Sequence, residues 1–250
     1  MKDFRYIRNK DKFLEYTYCA LKDHFSSINE LDNYYNAIKN DSYKNLFLKT
    51  ASFYLFLVKR GFWALDDIPD SNREINYLTI SYKFIAIVSL IESLFANKFM
   101  DFKDFLIRKR SKVTFPISNK AELIMYYDQY KEKFGSNRKF VTFCQALSLE
   151  RQRDLVARYI NRLPVLRIKP VPPPDEEIPK YLERLAKDLY DLRSKFVHEA
   201  KLVLDMLPGT TVSLRDNKLV VCNLSIQDVM EFFEEGLLIH FNKGHKDQKN

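Results

Sequence analysis

The chain has 250 residues, of which 46% are apolar and 14% aromatic, and its formal net charge is +8. This length and composition exclude a disordered or collagen-like protein and allow one or two domains with a buried core. The positive charge favours an anionic partner such as RNA or DNA. A basic protein without such a partner would have the same charge balance, so charge alone does not choose between the two.

The scarcity of glycine and of strand-type alternation predicts an all-α protein. The three cysteines, Cys19, Cys144 and Cys222, are far apart and form no CxxC pair, which indicates reduced core thiols in a cytosolic protein. No zinc-ligand pattern is present. The charged N-terminus lacks the apolar region of a signal peptide, and the longest uninterrupted apolar runs are too short to span a bilayer. We therefore expect a cytoplasmic protein without a membrane segment.

The first 60 residues have apolar side chains at the three- and four-residue spacing of amphipathic helices. Tyr and Phe are dense here, and core packing explains them better than base stacking because their spacing is helical. Residues 62–71 read as a loop and separate an N-terminal helical extension, 1–70, from the remainder, 71–250. The predicted helices are residues 11–25, a second one capped by Ser27 or Asn29, and a third from a cap at Asp41 or Ser42 to Arg60.

The next predicted helix begins at Asn72 and extends to about Asn97. Glu92 stands at the next step of its apolar stripe, and a carboxylate on a core-facing side costs several kcal/mol unless it is paired. We predict Arg193 as its partner; the alternative is that Glu92 reaches solvent at the helix end. The stripe is predicted to consist of Ile75, Leu78, Tyr82, Ile85, Val88 and Phe95.

Basic clusters characterise the middle of the chain. Helices are predicted at 101–110, from a cap at Ser118 or Asn119 to Gly135, at 138–147 and at 149–162. A solvated basic face is the alternative to nucleic-acid binding here. The proline-rich residues 163–179 are expected to form an extended internal linker. The candidate phosphate contacts in these clusters are Arg108, Arg110, Arg151 and Arg158.

The strongest helical pattern follows the linker. Its apolar stripe consists of Leu182, Leu185, Leu189, Leu192 and Phe196. The helix is expected to start between Asp175 and Pro179.

Arg193 lies at the edge of that stripe, and His198 lies about 140° further round the helix. In a straight helix the two side chains cannot meet on one face. Either the helix breaks near His198, or a second copy of the protein completes the site.

The string LYDLRSKFVHEA, which contains Arg193 and His198 with four residues between them, resembles the motif helix of Apea-like HEPN domains. The upstream helix over residues 82–95, with its Ile-Glu-Ser-Leu-Phe ending, resembles an earlier core helix of that superfamily. The resemblance covers roughly residues 73–243. It implies a HEPN-type helical bundle and a homodimeric, metal-independent endoribonuclease without a cofactor, acting in defence or toxin-type RNA degradation.

Site roles follow from this resemblance. His198 would be the general acid or base, Arg193 would bind the phosphate, Ser194 would orient either of them, and Glu92 would hold Arg193. Lys195 and Lys201 beside the motif would be further RNA contacts. Many active members have Asn, Asp or His where this chain has Ser194. A non-catalytic dimerisation or partner-binding module, next to a protein partner from a defence or antitoxin system, is therefore the alternative.

The C-terminal part is predicted to hold a small β-hairpin, with strands at Thr211–Leu214 and Lys218–Cys222. Ser225 with Asp228 has the spacing of an N-cap for a last amphipathic helix that reaches His240. The other histidines, His24, His240 and His245, are interpreted as structural or surface residues.

Overall fold

The computed structural model describes residues 7–64, 72–95, 102–109, 117, 119–159, 173–199, 211–215, 218–222 and 224–243. Within these ranges the chain is almost entirely helical, which confirms the all-α class. The predicted motif-helix start is also confirmed, because a short 3-10 turn at Asp175–Glu177 leads directly into the ninth helix. The helices are α1 (Lys10–Leu21), α2 (Ile28–Ala37), α3 (Asp41–Tyr54), α4 (Asn72–Leu94), α5 (Phe102–Lys109), α6 (Lys120–Phe134), α7 (Ser136–Ala146), α8 (Leu149–Tyr159), α9 (Ile178–Glu199) and α10 (Ile226–Lys243).

Side-chain caps begin several of these helices where the sequence predicted them. Ser27 caps α2, and Asn119 caps α6 through its side-chain oxygen. At α10 the hydroxyl and backbone amide of Ser225 both donate to the Asp228 carboxylate, at 2.7 and 2.8 Å, and the Asp228 amide donates back to the hydroxyl. This reciprocal pair forms the predicted capping box.

The third helix differs from its prediction at both ends. Asn40 is its cap, one residue before the predicted positions, and its side chain accepts a hydrogen bond of 2.7 Å from the Ser42 amide. At the other end α3 continues into a π-helical turn at Leu55–Lys59. A Cβ added to Gly61 would lie 2.3 Å from the Leu57 carbonyl oxygen, so glycine permits the chain to leave the helix there.

One hydrophobic core joins the N-terminal helices to the C-terminal helix α10. The Tyr54 ring lies 4.8 Å from that of Phe233, and the Phe47 ring lies 5.2 Å from that of Phe241. Residues on both sides of the predicted boundary therefore share one core. The division into 1–70 and 71–250 stays a prediction about the sequence, and most of the linker at 163–179 lies outside the described residues.

Helix α4 is the central helix of this core, but its fully buried face shares only Val88 with the predicted stripe. The side chains turned inward include Ile80, Phe84, Ile87, Val88 and Ile91. Tyr82, which was predicted to be buried, is 41% exposed. The prediction was wrong about the phase because α4 is apolar on nearly every side, so the spacing alone cannot choose the inward face.

By length and composition α4 could also cross a membrane, and it is the one helix in the described ranges that could do so. The sequence-based expectation of no such segment is corrected to this extent. Its contacts with α3, α7, α9 and α10 are those of a core helix, which passes the same test.

The C-terminal half packs around α7 and α9, which contact each other extensively. The predicted hairpin is confirmed: strands β1 (Thr211–Arg215) and β2 (Lys218–Cys222) are antiparallel. The prediction of buried core thiols is correct for Cys144 and wrong for Cys19, which is exposed on α1. Burial raises the pKa of the Cys144 thiol to about 12, so this cysteine stays protonated and unreactive at neutral pH.

Candidate functional site

The motif helix α9 extends without interruption through Arg193 and His198 to Glu199. Its inward stripe is as predicted in the first turns, where Leu182, Leu185 and Leu189 are buried. The helix therefore does not break near His198, which was one of the two ways in which one site could form. The other way, completion of the site by a second copy, stays a prediction.

Arg193 is held at the seam between α9 and α4. Its guanidinium nitrogen Nη2 lies 3.6 Å from Oε2 of Glu92, so the predicted contact between these two residues is confirmed. The two side chains are 21% and 20% exposed, which places the pair at the edge of the core and not inside it.

Tyr190 completes this arrangement one turn before Arg193. Its hydroxyl donates a 3.0 Å hydrogen bond to Oε1 of Glu92, and the Arg193 guanidinium lies 5.7 Å from the centre of its ring. The Glu92 carboxylate is thus shared between a hydroxyl and a cation. Sequence reasoning missed Tyr190, although its position three residues before Arg193 places it on the same helix face.

The Arg193 Nε atom is buried and has no hydrogen-bond partner in the described part of the chain. A buried donor without a partner costs free energy, on the order of 1–3 kcal/mol. An anionic oxygen at this position would be a strong acceptor for it, because hydrogen bonds between ionised groups are roughly twice as strong as neutral ones.

His198 is exposed in the last turn of α9. It lies five positions after Arg193 on a continuous helix, which amounts to about 7.5 Å along the axis and about 140° around it. One chain therefore presents the guanidinium and the imidazole on different faces of the helix. Ser194, adjacent to Arg193, is half-buried.

The predicted RNA-binding cations fall into two groups. Lys195 is exposed beside the motif, whereas Lys201, Arg110 and the Arg108 side chain lie outside what the structure describes. Arg151 and Arg158 belong to a different setting. Both guanidinium groups are engaged within the protein.

Helix α8 is fastened to α10 by these two arginines. Arg151 donates to Glu235 at 3.1 Å and lies 3.4 Å from Glu231. Arg158 pairs with Asp228 at 2.8 Å and with Asp154 at 3.0 Å. An arginine that is already paired with two carboxylates offers little charge to a phosphate. We therefore do not include Arg151 and Arg158 in the proposed RNA surface.

A second polar constellation, which sequence reasoning missed, surrounds Glu234 of α10. Glu234 is only 5% exposed. Its carboxylate accepts hydrogen bonds from the Tyr54 hydroxyl at 2.5 Å, from Lys59 Nζ at 2.9 Å and from His24 Nε2 at 3.1 Å. Lys59 also lies 3.6 Å from Asp23, at the surface end of the cluster. Every partner comes from the first 60 residues, and Lys59 belongs to the π-helical turn.

The pKa of Glu234 reflects two opposing causes. Burial alone would raise it, but the hydrogen bonds from His24, Tyr54 and Lys59, together with the charge of Lys59, lower it below the usual glutamate value. The carboxylate is thus ionised and fully partnered. Tyr54 changes in the opposite direction, because burial and then the neighbouring Glu234 charge raise the pKa of its phenol well above its ordinary value.

This Glu234 cluster was detectable in the sequence. Glu234 lies four residues after Met230 and three before Leu237, both of which belong to the predicted stripe of α10. A carboxylate on a core-facing side needs a partner, and this holds for Glu234 as it does for Glu92. Its partners could not have been named, since they lie up to 210 residues away in sequence.

A cavity of about 630 Å³ lies beside Tyr190, between α6, α7 and α9. Its walls include Arg138, Lys187, Glu183 and Asp191, so both cations and carboxylates line it. Among the described residues no group of three or more His, Cys, Asp or Glu side chains could hold a metal ion. Searches of protein-family models, curated proteins and solved structures found no match to the chain.

Proposed function

We propose that the protein is a metal-independent endoribonuclease of the HEPN type that acts as a homodimer in the cytoplasm, in defence or toxin-type RNA degradation. The observation that carries the proposal is the state of Arg193. Glu92 and Tyr190 hold its guanidinium at the seam of two helices, while its buried Nε has no partner. The same helix presents an exposed His198.

The proposed reaction is attack of an RNA 2′-hydroxyl on the adjacent phosphorus. The new P–O2′ bond forms as the P–O5′ bond breaks, which leaves a 2′,3′-cyclic phosphate and a 5′-hydroxyl. A neutral His198 imidazole accepts the proton of the 2′-hydroxyl, and the leaving 5′-oxygen takes its proton from water. Proton transfer by a positioned side chain typically contributes ~10²–10⁴ in rate.

Arg193 would stabilise the charge that grows on the phosphate oxygens in the transition state. Its Nε and one terminal nitrogen can donate to two oxygens in parallel, the geometry that arginine prefers with phosphate. Glu92 keeps the guanidinium plane in place, and Ser194 orients the phosphate or the imidazole. Lys195, exposed on the next position, adds a phosphate contact that positions the strand without reading its sequence.

The separation of about 140° between Arg193 and His198 within one chain supports a site that is shared with a second copy. A two-fold axis beside α9 would bring the Arg193 of one protomer towards the His198 of its partner. Each composite site would then take one residue from each chain. This arrangement makes the oligomeric state part of the mechanism.

The direct test is to incubate the purified protein with mixed RNA in EDTA and to analyse the product ends. We expect cyclic phosphates from the wild type and no cleavage by His198→Ala or Arg193→Ala. The Lys195→Ala variant is the matched control and should cut more weakly but still cut. A Glu92→Gln/Arg193→Gln double variant should also be inactive, which shows that a stranded carboxylate is not the cause of the loss.

Mixing the two inactive single variants tests the composite site. After subunit exchange, half of the dimers are mixed, and each mixed dimer has one site with both residues intact. Activity should return to about a quarter of the wild-type value. Cleavage that survives His198→Ala, or a strict monomer that cleaves, contradicts this mechanism.

A non-catalytic dimerisation or partner-binding module is the second candidate. It is favoured by the last turn of α9, where Val197 is 49% exposed beside His198, because apolar side chains on a surface often mark a protein contact. A wild-type protein that binds RNA or a protein partner but never cuts RNA, with or without metal, would establish this alternative.

A further inference from the structure

A cleft of about 340 Å³ opens between the π-helical turn with its following residues and the first half of α4. Its volume is at the small end of the range of ligand pockets. Four of its ten lining residues are aromatic, and one is a cation. Its principal lining residues are Phe56, Phe62, Trp63, Thr79, Tyr82 and Lys83.

The rings of this cleft face solvent and not the core. Phe62 is 79% exposed, and Phe56, Trp63 and Tyr82 are each 41–42% exposed. Exposing large aromatic rings to water is unfavourable. Four such rings around one depression are therefore unusual unless a ligand or a partner covers them.

Two contacts give the cleft a defined shape. The Trp63 ring lies 4.6 Å from the Tyr82 ring at an interplanar angle of 38°. The backbone amide of Trp63 donates a 3.0 Å hydrogen bond to the Thr79 hydroxyl, which fastens residue 63 to α4. The aromatic wall is therefore held by a polar contact and does not depend on packing alone.

Lys83 is half-buried in the cleft, and burial lowers the pKa of its ammonium group. No carboxylate in the ranges that the structure describes forms an ion pair with it. A partly desolvated cation without a counter-charge gains most from a ligand that brings its own negative charge.

The cleft also adjoins the motif helix. The Tyr82 ring contacts the Phe196 ring edge-to-face at 5.3 Å, and Phe196 lies one helical turn after Arg193. Along α4, Ala86 at the far wall of the cleft is six residues, or about 9 Å, from Glu92. A strand lying across α4 could thus reach both the cleft and Arg193.

We propose that this cleft binds one unpaired base of a single-stranded nucleic acid, stacked on the rings of Phe62 and Trp63, with the neighbouring phosphate on Lys83. The inference rests on the proposed function for the choice of RNA, and it adds a single-stranded substrate with an unstacked base next to the cut. Stacking on aromatic side chains tolerates every base, because each has a flat π-face.

Charge favours a nucleotide over a protein partner. An apolar protein surface pressed onto the rings would bury Lys83 without a counter-ion, which is strongly unfavourable. A nucleotide satisfies both parts of the cleft at once, since its base covers the rings and its phosphate neutralises the ammonium group.

The chain contains a single tryptophan, Trp63, so its intrinsic fluorescence reports directly on the cleft. The probe is a short 2′-O-methylated RNA strand, which cannot be cleaved by 2′-hydroxyl attack. We expect saturable quenching of Trp63, with much weaker quenching by an abasic strand of equal charge and none by inorganic phosphate. Trp63 quenching that the abasic strand reproduces would overturn the base site.

Two variants with matched controls locate the contacts. Phe62→Ala should weaken binding roughly 5- to 150-fold, the range for one stacked base, whereas Tyr127→Ala on α6 should leave it unchanged. Lys83→Met should reduce the salt dependence of binding by about one phosphate contact, whereas the exposed Lys39→Met should not. Normal binding by Phe62→Ala contradicts the proposal.

The assay separates this inference from the proposed ribonuclease. Quenching without any cleavage of natural RNA supports the base site and contradicts the nuclease. Cleavage without quenching, and unaffected by Phe62→Ala, supports the nuclease and contradicts the base site. Trp63 emission that changes with protein concentration alone, and a Phe62→Ala variant that no longer self-associates, would show a protein interface in place of a base site.

Discussion

Two carboxylates on neighbouring core helices each meet a cation from another part of the chain, and they do so in opposite ways. Glu234 on α10 is nearly inaccessible, and three donors from the N-terminal helices satisfy it. Glu92 on α4 is 20% exposed as a side chain, lies 3.6 Å from its cation, and leaves one donor of Arg193 without a partner.

The difference separates a structural site from a candidate functional one. In the Glu234 cluster the carboxylate already has three hydrogen-bond donors and has no need of a ligand. The cluster therefore stabilises the packing of α10 against the first helices. At Arg193 the hydrogen bonding of the buried Nε is incomplete, while the side chain as a whole is 21% exposed. A ligand with anionic oxygens could complete it. A perturbed pKa alone would favour Glu234 as the functional site, whereas the incomplete hydrogen bonding of Arg193 is the reason for proposing a binding site there.

The largest effect should come from neutralising Glu234. Glu234→Gln leaves the Lys59 ammonium buried against an uncharged amide, and breaking a buried pair from one side typically costs about 3–5 kcal/mol. Urea unfolding followed by circular dichroism measures this loss. Glu231→Gln, one turn away and 45% exposed, is the control and should change stability by less than ~1 kcal/mol.

A double variant sharpens that result. Glu234→Leu with Lys59→Met removes both charges, and an apolar pair of similar size should recover much of the lost stability. If Glu234→Gln unfolds at the same urea concentration as the wild type, the cluster is solvated and the comparison between the two sites fails.

Acid should reduce the contribution of Glu234. Its pKa in the folded protein is lowered relative to the unfolded value of ~4.3, so its stabilising effect is complete above that value. The effect disappears as the pH falls through the folded pKa. The difference in melting temperature between wild type and Glu234→Gln should therefore be constant near neutral pH and narrow below about pH 4. A difference that widens on acidification would contradict the lowered pKa.

The smallest of the three effects should come from Glu92. Glu92→Gln removes the counter-charge of Arg193 at a partly exposed site, so we expect a loss of about 1–2 kcal/mol, less than for Glu234. Tyr190→Phe is the matched control, because it removes only the hydroxyl that donates to Glu92 and should cost about 1 kcal/mol.

If the proposed function is right, Glu92→Gln also lowers RNA cleavage by misplacing Arg193, whereas Tyr190→Phe retains most of it. Equal melting temperatures of Glu92→Gln and wild type would mean that the contact does not form in solution.

The sequence predicted what depends on local spacing. The stripe of α9, the capping box at Ser225 and the contact between Glu92 and Arg193 all follow from period, cap chemistry and the cost of an unpaired charge. The stripe from which the Glu92 contact was argued had the wrong phase. The pair was still correct, because Glu92 lies at the edge of the true buried face.

Two features could not be read from local patterns. Helix α4 is apolar almost all round, so only its neighbours decide which side is buried. The partners of Glu234 are set by how α10 packs against α3, the π-helical turn and the turn that follows α1, and contacts between residues so far apart in sequence leave no periodic pattern. Whether Arg193 and His198 of two copies meet depends on how two chains pack together. Local patterns in the sequence of a single chain do not predict this packing.

The contacts of α10 with α3 also affect the order in which parts of the protein fold during synthesis. Tyr54 and Glu234 are 180 residues apart, so at ~5–20 residues per second roughly 10–40 s pass between their synthesis. During that interval Tyr54 and Lys59 lack the Glu234 carboxylate, and the apolar face of α3 that contacts Phe233 and Phe241 is not yet covered by them. We expect α3 to be among the last elements to be secured, because its partner helix α10 is synthesised well after it.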